Sequence, residues 1–148
     1  NLMQEDITLF HQDALEYLPK DIDLVVSDLA TYDYINDNYK SELYDKGVRY
    51  FPYLAIEHYL NLQSDAKYIY IIDNNFFSQK GSEDLRKILN EKATMKAFIT
   101  LPTDMFQSAE LGKALLVLEN KPSENKNVEI FMLPSTKNKE AFLNIKKR

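Results

Sequence analysis

The stretch that most narrows what this chain can fold into is Leu24-Val25-Val26, a continuous apolar run set between Asp23 and Ser27-Asp28. A strand with one wet face alternates apolar and polar residues. A run without alternation fits a strand buried on both faces, as in a parallel sheet. Lys67–Ile72 and Ala97–Leu101 also read as strands, the latter ended by Pro102. Segments of helical period lie between them. Tyr50–Leu62 carries Pro52 in its first turn and sets Tyr53, Ile56 and Leu60 on one face. The next helix has Ser82 as predicted N-cap, Glu83 and Asp84 in its first turn, and Leu85, Ile88 and Leu89 on its buried face. Ala114–Glu119 and Asn127–Leu133 follow as strands joined through Lys121-Pro122-Ser123. The pattern predicts an α/β fold: a mostly parallel sheet with an antiparallel C-terminal hairpin and helices on both faces.

The flanks are less regular. Ile7–Phe10 reads as a strand leading into His11-Gln12-Asp13, and Ala14–Leu18 as a helical turn stopped by Pro19. Leu29–Gly47 is polar, tyrosine-rich and without clear period, so a long loop is expected there. Residues 135–148 read as a polar helix or frayed tail, which leaves 1–134 as the folded body. The chain opens at Asn1 rather than Met and runs almost at once into a strand, as expected of a piece of a longer protein.

Composition closes off several chemistries. The 148 residues fit one domain. The absence of cysteine excludes disulfides, thiolate metal sites and cysteine nucleophiles. His11 and His58 are the only histidines and lie far apart, so no metal site is expected. Apolar runs such as Tyr68–Ile72 fall far short of the roughly 20 residues that span a bilayer. No secretory signal is visible, and the expected location is cytoplasmic. A net charge of −5 does not suit a domain that grips nucleic acid unaided, so any such contact would be shared with another domain or subunit. Gly47, Gly81 and Gly112 are isolated, so none belongs to a glycine-rich cofactor loop.

Ligands of open α/β sheets bind outside the carboxyl ends of the strands. That rule singles out Asp13, Asp28 with the loop behind it, and Asp73–Phe77. Acids at strand ends also serve solubility, so position alone leaves both readings open. Tyr32, Tyr34, Tyr39, Tyr44, Tyr50 and Tyr53 can likewise form a stacking surface for bases or an aromatic lid over the sheet. Asp33, Asp37, Glu42 and Asp45 argue against close phosphate contact there.

Particular segments carry a resemblance. Val25-Val26-Ser27-Asp28-Leu29-Ala30-Thr31-Tyr32 stands where one family carries a strand ending in Asn/Asp-Pro-Pro-aromatic. Leu54-Ala55-Ile56-Glu57-His58-Tyr59-Leu60 resembles the helix that follows it. Tyr68–Ile72 with Asp73-Asn74-Asn75-Phe76-Phe77 resembles the next strand and its Pro-Asn-Asn loop. Ile99–Phe106 and Ala114–Lys121 resemble the segment near the end of that domain. In this order the segments resemble the C-terminal half of class I S-adenosylmethionine-dependent methyltransferases of the N6-adenine DNA methylase type. The modification subunits of type I restriction systems and their stand-alone bacterial relatives look most similar.

The resemblance implies a partial Rossmann-like methyltransferase sheet. It implies S-adenosylmethionine as cofactor of the complete protein and DNA as its partner. Adenine's exocyclic nitrogen is a poor nucleophile because its lone pair is shared with the ring. In the family a side-chain oxygen and a backbone carbonyl accept its hydrogens, and an aromatic ring stacks on the flipped base. Asp28 would be the side-chain acceptor and Leu29 or Ala30 the carbonyl, with Thr31 in the aromatic's place. Tyr32, Tyr34 and Asn75 would meet substrate. Asp13 would accept from the cofactor's adenine amine, with Ala14 beside it.

The departures matter. Both prolines of the acceptor turn are missing, Thr31 cannot stack, and Asp73 replaces a proline. The family's glycine loop and its strand would lie N-terminal to Asn1, so this chain alone is expected to be inactive. In the complete family fold the strand before Asp13 lies two strands away from the one ending at Ser27. Ile7–Phe10 is therefore expected to slide in beside Leu24–Ser27 or to pair with another chain, a homodimer being one form of this. Three readings stay open: part of a DNA methylase, a non-catalytic binding or scaffolding module of the same fold, and a methyltransferase for RNA or a protein amide.

Overall fold

The computed structural model describes residues 6–62, 65–106, 112–124, 127–135 and 137–146. Its strands are β1 (Leu24–Asp28), β2 (Lys67–Asp73), β3 (Thr94–Thr100), β4 (Lys113–Glu119) and β5 (Glu129–Met132). They form a sheet of order β1-β2-β4-β3-β5. The helices are α1 (Glu42–Asp45), α2 (Phe51–Leu60), α3 (Ser82–Lys92) and α4 (Lys139–Lys146).

β1 and β2 run parallel with Val26 opposite Ile69, as do β3 and β5 with Phe98 opposite Ile130. β4 is antiparallel to both β2 and β3. The expected C-terminal hairpin is therefore replaced: β4 and β5 are not partners, and β3 lies between them. The residues explain the sorting. β4 buries Ala114, Leu116 and Leu118, which suits a central strand, whereas all of β5 is exposed, as an edge permits.

One sheet face carries the core. Tyr68, Tyr70 and Ile72 stand opposite Leu118, Leu116 and Ala114, and all are buried. Against them α2 buries Tyr53, Leu54, Ile56 and Leu60, and α3 buries Leu85 and Ile88. A tyrosine-rich core must place its hydroxyls. Tyr53 donates to the Phe76 carbonyl, and Tyr68 to the Tyr59 carbonyl at 3.0 Å. The expected helices on both faces are not found among α1–α3, which share this face. On the other, Leu24 and Val26 are exposed, and Ile69, Ile71, Leu115 and Val117 are only half-buried.

Two further expectations are corrected. Ile7–Phe10 forms no strand and does not pair beside β1; Ile7, Leu9 and Phe10 are exposed. β1 is thus an edge strand, with no second neighbour among the described residues. Leu29–Gly47 is not structureless. It carries α1, capped by the Ser41 hydroxyl accepting from the Tyr44 amide at 3.1 Å, and buries Leu29, Tyr34, Leu43 and Tyr44. The tyrosines are what let a polar-looking segment pack. Lys147 and Arg148 lie outside the described residues.

Ser82 is the first residue of α3 rather than its cap. Gly81 takes the cap position with φ +91°, and a Cβ there would lie 2.4 Å from Val48 Cγ2. Gly81→Ala is expected to lower stability by about 2 kcal/mol through strain and overlap together. Gly47, at φ +87° with open space around it, should lose about 1 kcal/mol on the same change. Urea unfolding of both variants checks the order.

Candidate functional site

Asp28 is the last residue of β1, so the ladder delivers it to the C-terminal end of the parallel pair. The ladder continues one step, the Leu29 amide donating to the Ile71 carbonyl at 3.1 Å. That bond and the burial of the Leu29 side chain fix the start of the turn without prolines. Ala30 and Thr31 are exposed. The Asp28 side chain is 64% exposed, so its carboxylate faces solvent.

Sequence reasoning missed the cation beside it. β4 runs against β1 and β2, so its first residue, Lys113, stands at the end where they finish. Lys113 Nζ lies 3.3 Å from Asp73 Oδ1 and 3.8 Å from Asp28 Oδ1. It offsets the mutual repulsion of two acids on neighbouring strands. Gly112 next to it closes on the other loop: the Asn74 amide donates to the Gly112 carbonyl at 2.9 Å, and a Cβ on Gly112 would lie 2.3 Å from Asn74 Nδ2. Asn75 follows, its side-chain oxygen buried without a hydrogen-bond partner.

Asp13 lies on the other side of β1. Its Oδ1 accepts from the Leu15 amide at 2.9 Å and its Oδ2 from the Tyr34 hydroxyl at 2.6 Å. Ala14 and Leu29 line a shared groove of about 370 Å³ that runs along the free edge of β1. Val25, Ser27 and Phe51 line it as well. The groove brings Ala14 together with the turn after Asp28.

Tyr32 and Tyr34 part company. Tyr32 is 47% exposed, its ring stacked on Phe51 at 4.7 Å and 15°. Partial burial raises its hydroxyl pKa, the nearby Asp13 adding to the effect. One ring face is covered by Phe51. Tyr34 is buried, with its hydroxyl committed to Asp13, so it offers no surface to a base. The histidines form no pair: His11 is exposed, and His58 Nε2 lies 2.6 Å from the Tyr17 carbonyl. Among the described residues no cluster of His, Asp or Glu could hold a metal.

The N-6 DNA Methylase family model matches residues 9–148. The chain belongs to this family. Its Bacillus subtilis (strain 168) relative YtxK is 32% identical over 108 residues, covering 69% of this chain and 32% of YtxK. A Listeria monocytogenes protein described as a class I S-adenosylmethionine-dependent methyltransferase superposes with a TM-score of 0.78 at 23% identity, covering 93% of this chain and 45% of that one. A modification subunit of a type I restriction enzyme from Vibrio vulnificus YJ016 gives 0.64 at 12% identity, covering 87% and 30%. The M protein of the type I restriction enzyme EcoKI gives 0.59 at 15% identity, covering 78% and 26%. These likenesses establish the fold of this N-6 DNA Methylase family chain as that of a class I methyltransferase. The chain spans about a third of YtxK and under half of each of these structures.

The site fits one end of S-adenosylmethionine. Each Asp13 oxygen keeps a lone pair after its bond, which suits an acceptor for an amine. The described residues carry no glycine-rich loop for the rest of the cofactor.

Proposed function

We propose that this chain is the acceptor half of a S-adenosylmethionine-dependent methyltransferase that, when complete, methylates the exocyclic amine of adenine in DNA. One observation carries the reading: in a chain of this family, the solvent-facing carboxylate of Asp28 ends a parallel strand beside the groove that reaches Ala14. The cofactor, when bound, supplies an electrophilic methyl group. Asp28 accepts one hydrogen of the amine, and the Leu29 or Ala30 carbonyl accepts the other, which localises the nitrogen lone pair. Lys113, 3.8 Å away, partly offsets the Asp28 charge. Tyr32, braced by Phe51, is the ring that can stack in place of Thr31.

The sheet face left open and the β1 edge left unpaired among the described residues support the part-protein reading. Both are surfaces that a further segment of the same protein, or a partner chain, would cover. Type I modification subunits among the structural neighbours support DNA and partner subunits as the company it keeps. No described helix is long and apolar enough to cross a membrane, which accords with the cytoplasmic placement we propose.

A second reading, a methyltransferase-like module without chemistry, has two observations in its favour: Tyr34 is buried, and Thr31 stands where a stacking ring belongs. Titrating S-adenosylmethionine into the 148-residue chain and into the full-length parent separates the two. Micromolar binding by the parent and binding at least about 100-fold weaker by the chain is the expected result. No binding by either would overturn the catalytic reading. Labelled methyl transfer to DNA, RNA and protein by the parent then tests the substrate, with DNA expected to take the label.

A further inference from the structure

Asp13 is held from two directions. The Leu15 amide fixes Oδ1 through a tight local turn. The Tyr34 hydroxyl, 21 residues further on, fixes Oδ2 at 2.6 Å. Tyr34 itself has little freedom. It is 7% exposed, its amide donates to the Arg49 carbonyl at 2.7 Å, and its ring meets Tyr39 edge-on at 5.3 Å.

The hydroxyl is also a relay. While donating to Asp13 it accepts from Asn36 Nδ2 at 3.1 Å, and the Asn36 amide donates to the Tyr44 hydroxyl at 3.0 Å. The Arg49 guanidinium lies 3.6 Å from the centre of the Tyr44 ring. A connected path thus runs from Asp13 into the segment between β1 and α2. Burial and the Asp13 contact push the Tyr34 hydroxyl up to about 12, so it remains a donor across the physiological range.

We propose that Tyr34 is the positioning residue for Asp13, aiming its carboxylate at the cofactor's adenine amine and coupling that contact to the order of residues 33–46. The proposal rests on the reading of Asp13 as the cofactor-contact acid. A carboxylate pinned at both oxygens presents its remaining lone pairs in fixed directions, whereas one pinned at a single oxygen can swing. The bond is charge-assisted, the kind whose loss is felt most.

The test uses Tyr34→Phe, Asp13→Asn and the double variant. In the full-length protein, Tyr34→Phe should weaken S-adenosylmethionine binding about tenfold. Asp13→Asn should weaken it at least as much, and the double variant no more than Asp13→Asn alone. In the 148-residue chain without cofactor, both single variants should speed amide hydrogen exchange across residues 33–46. Wild-type affinity in Tyr34→Phe with a loss in Asp13→Asn would overturn the proposal. So would additive losses in the double variant, the result of a merely structural tyrosine. Unchanged loop exchange in both variants would overturn the coupling. Wild-type affinity in Asp13→Asn would instead sink the reading of Asp13, and the proposal with it.

Discussion

Asp28→Ala in the full-length protein is expected to slow methyl transfer to DNA adenine by about 10²–10³-fold, with S-adenosylmethionine affinity changed less than about twofold. The asymmetry follows from geometry. Asp28 faces solvent at the end of β1, while of the cofactor-contact candidates Ala14 lines the groove and Asp13 precedes it in the chain. An acceptor that engages the amine as its lone pair localises acts mainly in the transition state, so kcat should fall and cofactor binding should not. Asp28→Asn keeps an acceptor oxygen and should retain far more activity than Ala. Single-turnover transfer of labelled methyl groups measures both. A wild-type rate in Asp28→Ala would end the assignment of Asp28 as acceptor.

The largest effect on stability is expected at Glu57. It is 1% exposed in the middle of α2. Its Oε2 accepts from the Leu43 amide at 3.0 Å, while Oε1 is buried without a partner. Glu57→Ala leaves a cavity and an orphaned amide at the start of α1, and should cost about 3 kcal/mol. Burial raises the Glu57 carboxyl above its ordinary value of 4.5, with hydrogen bonds from Ser41 and Leu43 opposing. The folded state therefore holds this proton more tightly than the unfolded chain. The group favours folding below the ordinary glutamate range and weakens it as pH rises through the raised value. Glu57→Gln removes the titration, so its stability relative to wild type should improve from pH 4 to pH 7. Urea unfolding at several pH values measures this, and a difference independent of pH would refute it.

Much of the architecture was legible in the sequence. Leu24-Val25-Val26 and Lys67–Ile72 became β1 and β2, although the burial on both faces expected of Leu24-Val25-Val26 is not found, since Leu24 and Val26 are exposed. The Tyr53, Ile56 and Leu60 face of α2 packs as its period required. Asp28 stands at a strand end because strand length and polarity were readable. What failed was pairing. Whether Ala114–Glu119 joins Asn127–Leu133 or inserts between β2 and β3 depends on burial competition across the whole sheet, which no local window contains. Lys113 was invisible for the same reason, since its place beside Asp28 exists only once β4 runs antiparallel next to β2. Leu29–Gly47 looked like open loop because its apolar surface is held by tyrosines, and their hydroxyls mask it in a polarity count. The link between Tyr34 and Asp13 spans two segments whose meeting no spacing announced.

The place of β4 also sets the order of assembly. The pair β1–β2 forms one side of the sheet and β3–β5 the other, and only β4 joins them. It reaches β3 across a short return, with Thr100 opposite Ala114, but reaches β2 only over a long separation, with Ile69 opposite Val117. Closing such a contact costs loop entropy before any burial offsets it. A nascent chain that has not yet released β4 holds the β1–β2 pair and a lone β3 with unsatisfied edges, the condition in which holding chaperones are most useful. Refolding is accordingly expected to be paced by the docking of β4 on β2 rather than by the helices, whose contacts are local.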